Sequence, residues 1–218
     1  MHMRLQPIRV FCFHHVSDTF DETTMHRGDW LQTDAFKHAI VKLQDEGYSF
    51  ISLQEAHEKL KHDVFRFSKY AVLTADDGWG SLRNVLPWLN EQKIPVTLFL
   101  NPAYLDGKHF REHDTEKYLS WKDIKEMHDK YPLVTIGSHG WEHIDATKQT
   151  IDKFLESVRT ANESLHLFPN FIPFYAYTWG RHTQTIDCLL REKHMTPVLI
   201  DDVMNYNNET IIQRELLK

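Results

Sequence analysis

The chain has 218 residues, of which 41% are hydrophobic and 26% charged, and its formal net charge is -6. That length suits one sizeable core and is short for two, so residues 1–218 are expected to form a single domain. The negative balance, with no run of Lys and Arg, argues against nucleic acid or an anionic membrane surface as the main partner. No apolar stretch approaches the roughly 20 residues of a membrane span.

The opening MHMRLQPIRVFCF reads as a first strand rather than a signal peptide, so a cytoplasmic protein is expected. Cys12 and Cys188 both lie in apolar surroundings and read as buried free thiols rather than a disulfide. The chain carries 15 histidines, many for its length, but composition alone assigns none of them a role.

In chain order, residues 8–13 read as a strand. Residues 33–46 read as a helix, with Phe36, Ile40 and Leu43 on one face and Gly47 as its stop. A short strand at 49–53 and a short helix at 54–61 follow. Residues 71–75 (AVLTA) form a continuous apolar run, as for a strand buried on both faces. A helix is expected at 81–92, a strand at 95–100 and a polar loop over 101–117. Ser120 can cap a helix to 130, and 133–136 reads as a strand. The remainder reads as helix 150–166, strand 171–177, helix 183–193 and a final core strand at 197–200. Phe65, Phe67 and Tyr70 are expected in the core, and His109 and His113 at the surface of the polar loop.

This β–α alternation predicts an α/β fold with a parallel sheet wrapped by helices, either an incomplete barrel or an open sheet. In both, chemistry collects at the C-terminal ends of the strands.

Two such ends stand out. After AVLT comes Ala75-Asp76-Asp77-Gly78-Trp79-Gly80. Adjacent carboxylates leaving a buried strand repel each other and lose water, and a cation repairs both costs. Alone, Asp-Asp-Gly also reads as a solvated turn. After LVTI comes Gly137-Ser138-His139-Gly140-Trp141-Glu142-His143. If that segment turns helically, the imidazoles at i and i+4 share a face and suit one metal. Alone, the pair also reads as two surface histidines. Together the motifs offer two His and one carboxylate with open coordination positions, a recurrent catalytic metal set.

TADDG resembles the first motif, and SHGWEH the second, of the NodB-homology polysaccharide deacetylases, the family 4 carbohydrate esterases. FHHV and EGYSFISLQEA are similar to the opening of the branch that deacetylates poly-N-acetylglucosamine. Residues 175–180 (YAYTWG) resemble a diverged third motif.

The resemblance implies a single-domain distorted (β/α) barrel that removes acetyl groups from an N- or O-acetylated sugar or glycan precursor. It implies Asp76 as the catalytic base, and Asp77, His139 and His143 as ligands of one divalent metal ion, with Zn2+ expected. The oxyanion is then expected on the metal and on a backbone N–H after Asp77 or near Tyr177. Trp79, Tyr177, Trp179 and Arg181 are expected at the substrate, with indoles available for stacking on a sugar ring.

The resemblance is incomplete. The third motif's proline and tyrosine are Thr178 and Trp179 here. The family's base-steadying arginine is not recognisable, although Arg181 is near. The late Leu-x-x-His motif is missing, and the matching place reads Leu199-Ile200-Asp201-Asp202. His14, at the end of the first strand, is the candidate helper. Two rivals remain at this level. One is a non-catalytic carbohydrate-binding or regulatory protein that kept the metal. The other is a peptidase, because residues 139–143 also fit the inverted zinc-protease pattern H-x-x-E-H.

Overall fold

A computed structural model describes residues 6–20, 22, 25, 27–62, 68–105, 118–201, 205 and 210–218. An eight-stranded parallel sheet forms the centre. Its path runs β10 (Glu215–Leu216), β1 (Ile8–Phe13), β5 (Lys69–Ala75), β6 (Val96–Leu100), β7 (Val134–Ser138), β8 (Phe171–Ala176) and β9 (Thr196–Val198), with β4 (Tyr48–Phe50) added beside β5. A separate pair, β2 (His15–Val16) and β3 (Trp30–Leu31), lies outside this sheet.

Every sheet pairing is parallel, so each crossover needs a connection long enough to return the chain, and helices supply it. These are α1 (Thr33–Asp45), α2 (Leu53–His62), α3 (Leu86–Glu91), α4 (Trp121–Lys130), α5 (Ile151–Leu165) and α6 (Gln184–Glu192). Phe36, Ile40 and Leu43 of α1 are buried, as the periodicity predicts. Ser120 caps α4 in a reciprocal capping box with Asp123. No helix among the described residues is long and apolar enough to cross a membrane.

Three expectations are corrected. Leu53 starts α2 rather than ending a strand. The predicted helix at 81–92 is a 3-10 turn, Gly80–Asn84, followed by α3. Pro87 sits in the first turn of α3, where its missing N–H costs nothing, so the helix starts afresh there. Residues 197–200 are not the last strand.

That third correction positions the site. Val198 bridges in parallel to Ile212, Leu199 N–H donates to Ile212 O at 2.8 Å, and Asp201 N–H donates to Arg214 O at 3.1 Å. From the next residue, β10 pairs with β1. The segment 211–217 therefore spans from β9 to β1 and closes the sheet on itself, the distorted barrel that the resemblance implies. A bidentate Arg9–Glu215 pair at 2.7 and 2.6 Å fastens the seam.

Cys12 and Cys188 are both free, but only Cys12 is buried; Cys188 is exposed on α6. Tyr70 is half-buried. Phe65, Phe67, His109 and His113 lie outside the described residues.

Candidate active site

At the C-terminal end of β5 the chain delivers Asp76 and Asp77, both buried. The two carboxylates part company because the chain reverses at once. Asp77 has φ 69° and Gly78 φ 79°, left-handed values that Gly adopts freely and Asp more readily than most residues. A Cβ on Gly78 would also come within 2.8 Å of Leu100 Cδ2.

Asp76 faces Arg214. Nη1 donates to Oδ1 at 2.6 Å and Nη2 to Oδ2 at 2.8 Å, and the guanidinium is 0% exposed. Arg214 also donates to Thr74 Oγ1 at 3.1 Å and to Leu199 O at 3.1 Å. Burial alone would raise the Asp76 carboxyl, but Arg214 and then His139 outweigh it and hold it down at about 2. Asp76 is thus ionised at neutral pH although buried.

Asp77 faces two imidazoles. Its Oδ1 lies 3.5 Å from His139 Nε2 and 3.2 Å from His143 Nε2. His139 Nδ1 is 2.7 Å from Ala176 O. A carbonyl only accepts, so Nδ1 carries the proton and the neutral ring turns a lone pair from Nε2 toward Asp77. Oδ1 is buried and accepts no hydrogen bond. A lone pair and an orphaned carboxylate oxygen pointing at each other call for positive charge between them. Burial opposes charge on Asp77, yet the two histidines hold it well below the usual carboxylate range. Burial likewise lowers His139, but Asp77 and Asp76 raise it overall.

Asp77, His139 and His143 offer ligand atoms within 4.8 Å of one another. Ligand atoms about 2.0–2.1 Å from a tetrahedral ion lie roughly 3.3 Å apart, so the observed separations fit a small divalent cation. Cys12, His14 and Asp76 form a second close group, but Asp76 already has a guanidinium on both oxygens and a cation there would be repelled.

The His139–His143 segment is not helical, so the condition for sharing a helix face is not met. It is a bent loop clasped by the residues after β6. Asn101 Nδ2 donates to His139 O at 2.7 Å and to Gly140 O at 3.2 Å. Ala103 N–H donates to Trp141 O at 3.1 Å, and His143 N–H to Tyr104 Oη at 3.2 Å. Gly140, at φ 82°, makes the bend. The zinc-protease pattern needs both histidines on one helix, so the peptidase reading fails here.

His14 sits where the sequence places it, past β1, with one ligand atom within 4.8 Å of Asp76 and a buried, unpartnered Nδ1. Trp179 is 56% exposed, with its ring edge-on to His143 at 4.5 Å. Arg181 pairs with Asp145 at 2.8 Å beside it. Two substrate expectations are corrected. Trp79 is only 4% exposed, and its indole is flanked by His15 and Tyr118, so no face is open to a sugar. Tyr177 is 1% exposed, and its hydroxyl donates to Asp187 at 2.8 Å. Of the backbone N–H groups after Asp77 and near Tyr177, those of Gly78 and of Tyr177 itself are committed. Gly78 N–H donates to Asp76 O at 2.9 Å, and Tyr177 N–H to Val198 O at 3.1 Å.

Residues 66–198 match the family model for polysaccharide deacetylase. The chain belongs to the polysaccharide deacetylase family. Among solved structures, IcaB from Ammonifex degensii is 24% identical, with 100% of this chain and 94% of that one covered at a TM-score of 0.80. The Streptococcus pyogenes deacetylase PplD, in complex with acetate, is 21% identical over 98% and 93%, at 0.78. A de-N-acetylase from Aggregatibacter actinomycetemcomitans is 17% identical over 97% and 95%, at 0.73. At these identities the likeness shows the fold, and it is the NodB-type barrel. No curated protein matches the chain.

Arg214 and Asn101 escaped the sequence reading. Both His14 and Arg214 lie outside the matched stretch 66–198. The signal for Arg214 was present: a charge set among Ile211, Ile212, Leu216 and Leu217 needs a buried partner.

Proposed function

We propose that this polysaccharide deacetylase family member is a metal-dependent hydrolase that removes acetyl groups from an N- or O-acetylated sugar or surface-glycan precursor. The observation that carries the reading is a division of labour between neighbours. Asp77 Oδ1 joins His139 and His143 in a group that wants a cation, while Asp76 is held ionised by Arg214 next to it.

Asp77, His139 and His143 would hold the ion, with Zn2+ expected. When bound, it supplies Lewis acidity, acidifying water and polarising an acetyl carbonyl. Asp76 receives the proton of the attacking water, its charge kept available by Arg214. His14, close to that carboxylate, is placed to assist the departing amine or hydroxyl. Trp179 offers the exposed indole beside His143, a surface for a sugar ring. The similar structures named a deacetylase with acetate and a de-N-acetylase support acetyl chemistry.

Acetate release from acetylated glucosamine oligomers, abolished by a chelator and restored by Zn2+, tests the proposal. Metal binding without turnover of any acetyl sugar would favour the non-catalytic binding protein instead. The proposal also places the enzyme in the cytoplasm, on a nucleotide-linked or lipid-linked precursor, which cell fractionation checks.

A further inference from the structure

Trp79 has lost its expected place against a sugar, and the structure gives it another partner. Its indole Nε1–H donates to Asp77 Oδ2 at 3.0 Å. That oxygen is the one turned away from the histidines, since Oδ1 faces both imidazoles. The carboxylate therefore presents a single oxygen to the cation group.

The indole is itself immobilised. His15 lies against it with ring centroids 4.2 Å apart, and Tyr118 stacks on it at 4.3 Å and 18°. Tyr118 in turn stacks on Tyr104 at 4.9 Å. The Tyr104 hydroxyl accepts the backbone N–H of His143 at 3.2 Å. All four rings are buried. A column of aromatic rings thus runs under the site, with Asp77 hydrogen-bonded at one ring and the backbone of His143 at another. Aromatic rings packed together prefer defined offset or tilted arrangements.

We propose that Trp79 is a positioning residue that commits Asp77 to one-oxygen coordination, and that the ring column carries this constraint across to His143. This deepens, and rests on, the metal-site reading given above. A carboxylate free to turn can offer both oxygens, raise the coordination number and suit larger, oxygen-preferring ions. A carboxylate with Oδ2 tied cannot, so the site keeps the low coordination number that suits Zn2+ and leaves a position open. Hydrogen bonds to metal ligands of this kind change metal affinity by roughly 10- to 100-fold.

The variant Trp79→Phe keeps a ring between His15 and Tyr118 and removes the N–H. Zn2+ alone is titrated into the metal-free full chain in competition with a chromophoric chelator, and the visible spectrum of the Co2+-loaded protein reports coordination. The variant should bind Zn2+ roughly 10- to 100-fold more weakly than the wild type. Its Co2+ absorption should weaken, as coordination number rises, and its metal-free thermal midpoint should move by less than about 3 °C. Zn2+ affinity within about twofold of wild type, with an unchanged Co2+ spectrum, overturns the inference.

If the variant does not fold, the wild type decides. The Trp79 indole N–H, one of six in the chain, can be assigned by its contact with the Tyr118 ring. In the Zn2+-loaded protein it should exchange slowly with water and shift on metal addition; rapid exchange overturns the proposal. A wild type that binds no Zn2+ removes the functional reading and this inference together. A wild type that binds it, beside an unaffected variant, removes the inference alone.

Discussion

Arg214 meets Asp76 through two parallel hydrogen bonds, 2.6 and 2.8 Å long, in a buried pair. Two buried charges in this geometry neutralise each other, but removing one strands the other. Arg214→Ala should cost about 3–5 kcal/mol at neutral pH. The sign of the pH dependence should also invert. In the wild type the Asp76 pKa, at about 2, lies below its unfolded value of about 3.9. Its contribution is therefore present above pH ~4 and lost as pH falls toward 2. Without Arg214, burial dominates and lifts the pKa above the unfolded value, so stability should fall as pH rises through ~4. Urea unfolding of both proteins across that range measures it.

Asp76→Asn should retain Zn2+ and lose turnover, whereas His139→Ala should lose both. Elemental analysis after dialysis, paired with an acetate assay, separates the two. Equal metal loss in both variants would show that Asp76 had been given the wrong role.

His139 is raised in the metal-free protein by its two aspartate neighbours. Below that raised value the ring gains a second proton on Nε2, which a cation must displace, so Zn2+ affinity should weaken as pH falls through it. Isothermal titration in two buffers of different ionisation enthalpy will show proton release on binding. Release that does not grow as pH falls would contradict this account of the group.

Gly137, on β7, has no room for a methyl group. A Cβ there would sit 2.4 and 2.6 Å from the Phe99 ring and 3.2 Å from Phe174 O. Gly137→Ala should destabilise by about 1–3 kcal/mol and loosen the strand that leads into His139. Gly28, with nothing within 4 Å of its Cβ position, serves as the control, and Gly28→Ala should be close to neutral. Thermal melts compare them.

Trp179 is a large apolar side chain in the left-handed region, at φ 54°. Such strain persists where function holds it. Trp179→Gly should relieve it, leaving stability equal or up to about 1 kcal/mol higher, while KM rises for a sugar that stacks there. Steady-state kinetics beside a melting curve checks both halves.

The β–α alternation was legible because its strands and helices are long enough to show a period, while the choice of a barrel over an open sheet came from the resemblance. The apolar run at 71–75 and the face of Phe36, Ile40 and Leu43 follow from residue spacing alone. The four residues Asp76, Asp77, His139 and His143 were legible because their types are costly to bury singly and make sense in company. What was lost has physical causes too. The closing segment is too short to show alternation: β10 holds two residues. The base-steadying arginine was not recognisable, with only Arg181 near the third motif; the fold supplies Arg214 from just before β10, and only three-dimensional closure brings it to Asp76. The i, i+4 spacing brings the two histidines together on a helix; Asn101 and Gly140 give the same convergence with a bend. Trp79 looked like a binding wall because indole is amphipathic, and a sequence does not show which of its faces is covered.

The closing segment makes the site sensitive to a kind of damage that the family match would not register. A chain cut after Leu199 keeps every residue from 66 to 198, including both aspartates and both histidines. It loses Ile212 as the neighbour of Val198, opens the seam beside β1 and leaves Asp76 with no guanidinium. Such a fragment would still read as family in sequence, and would hold its would-be base in a half-open shell, protonated more readily than in the intact protein.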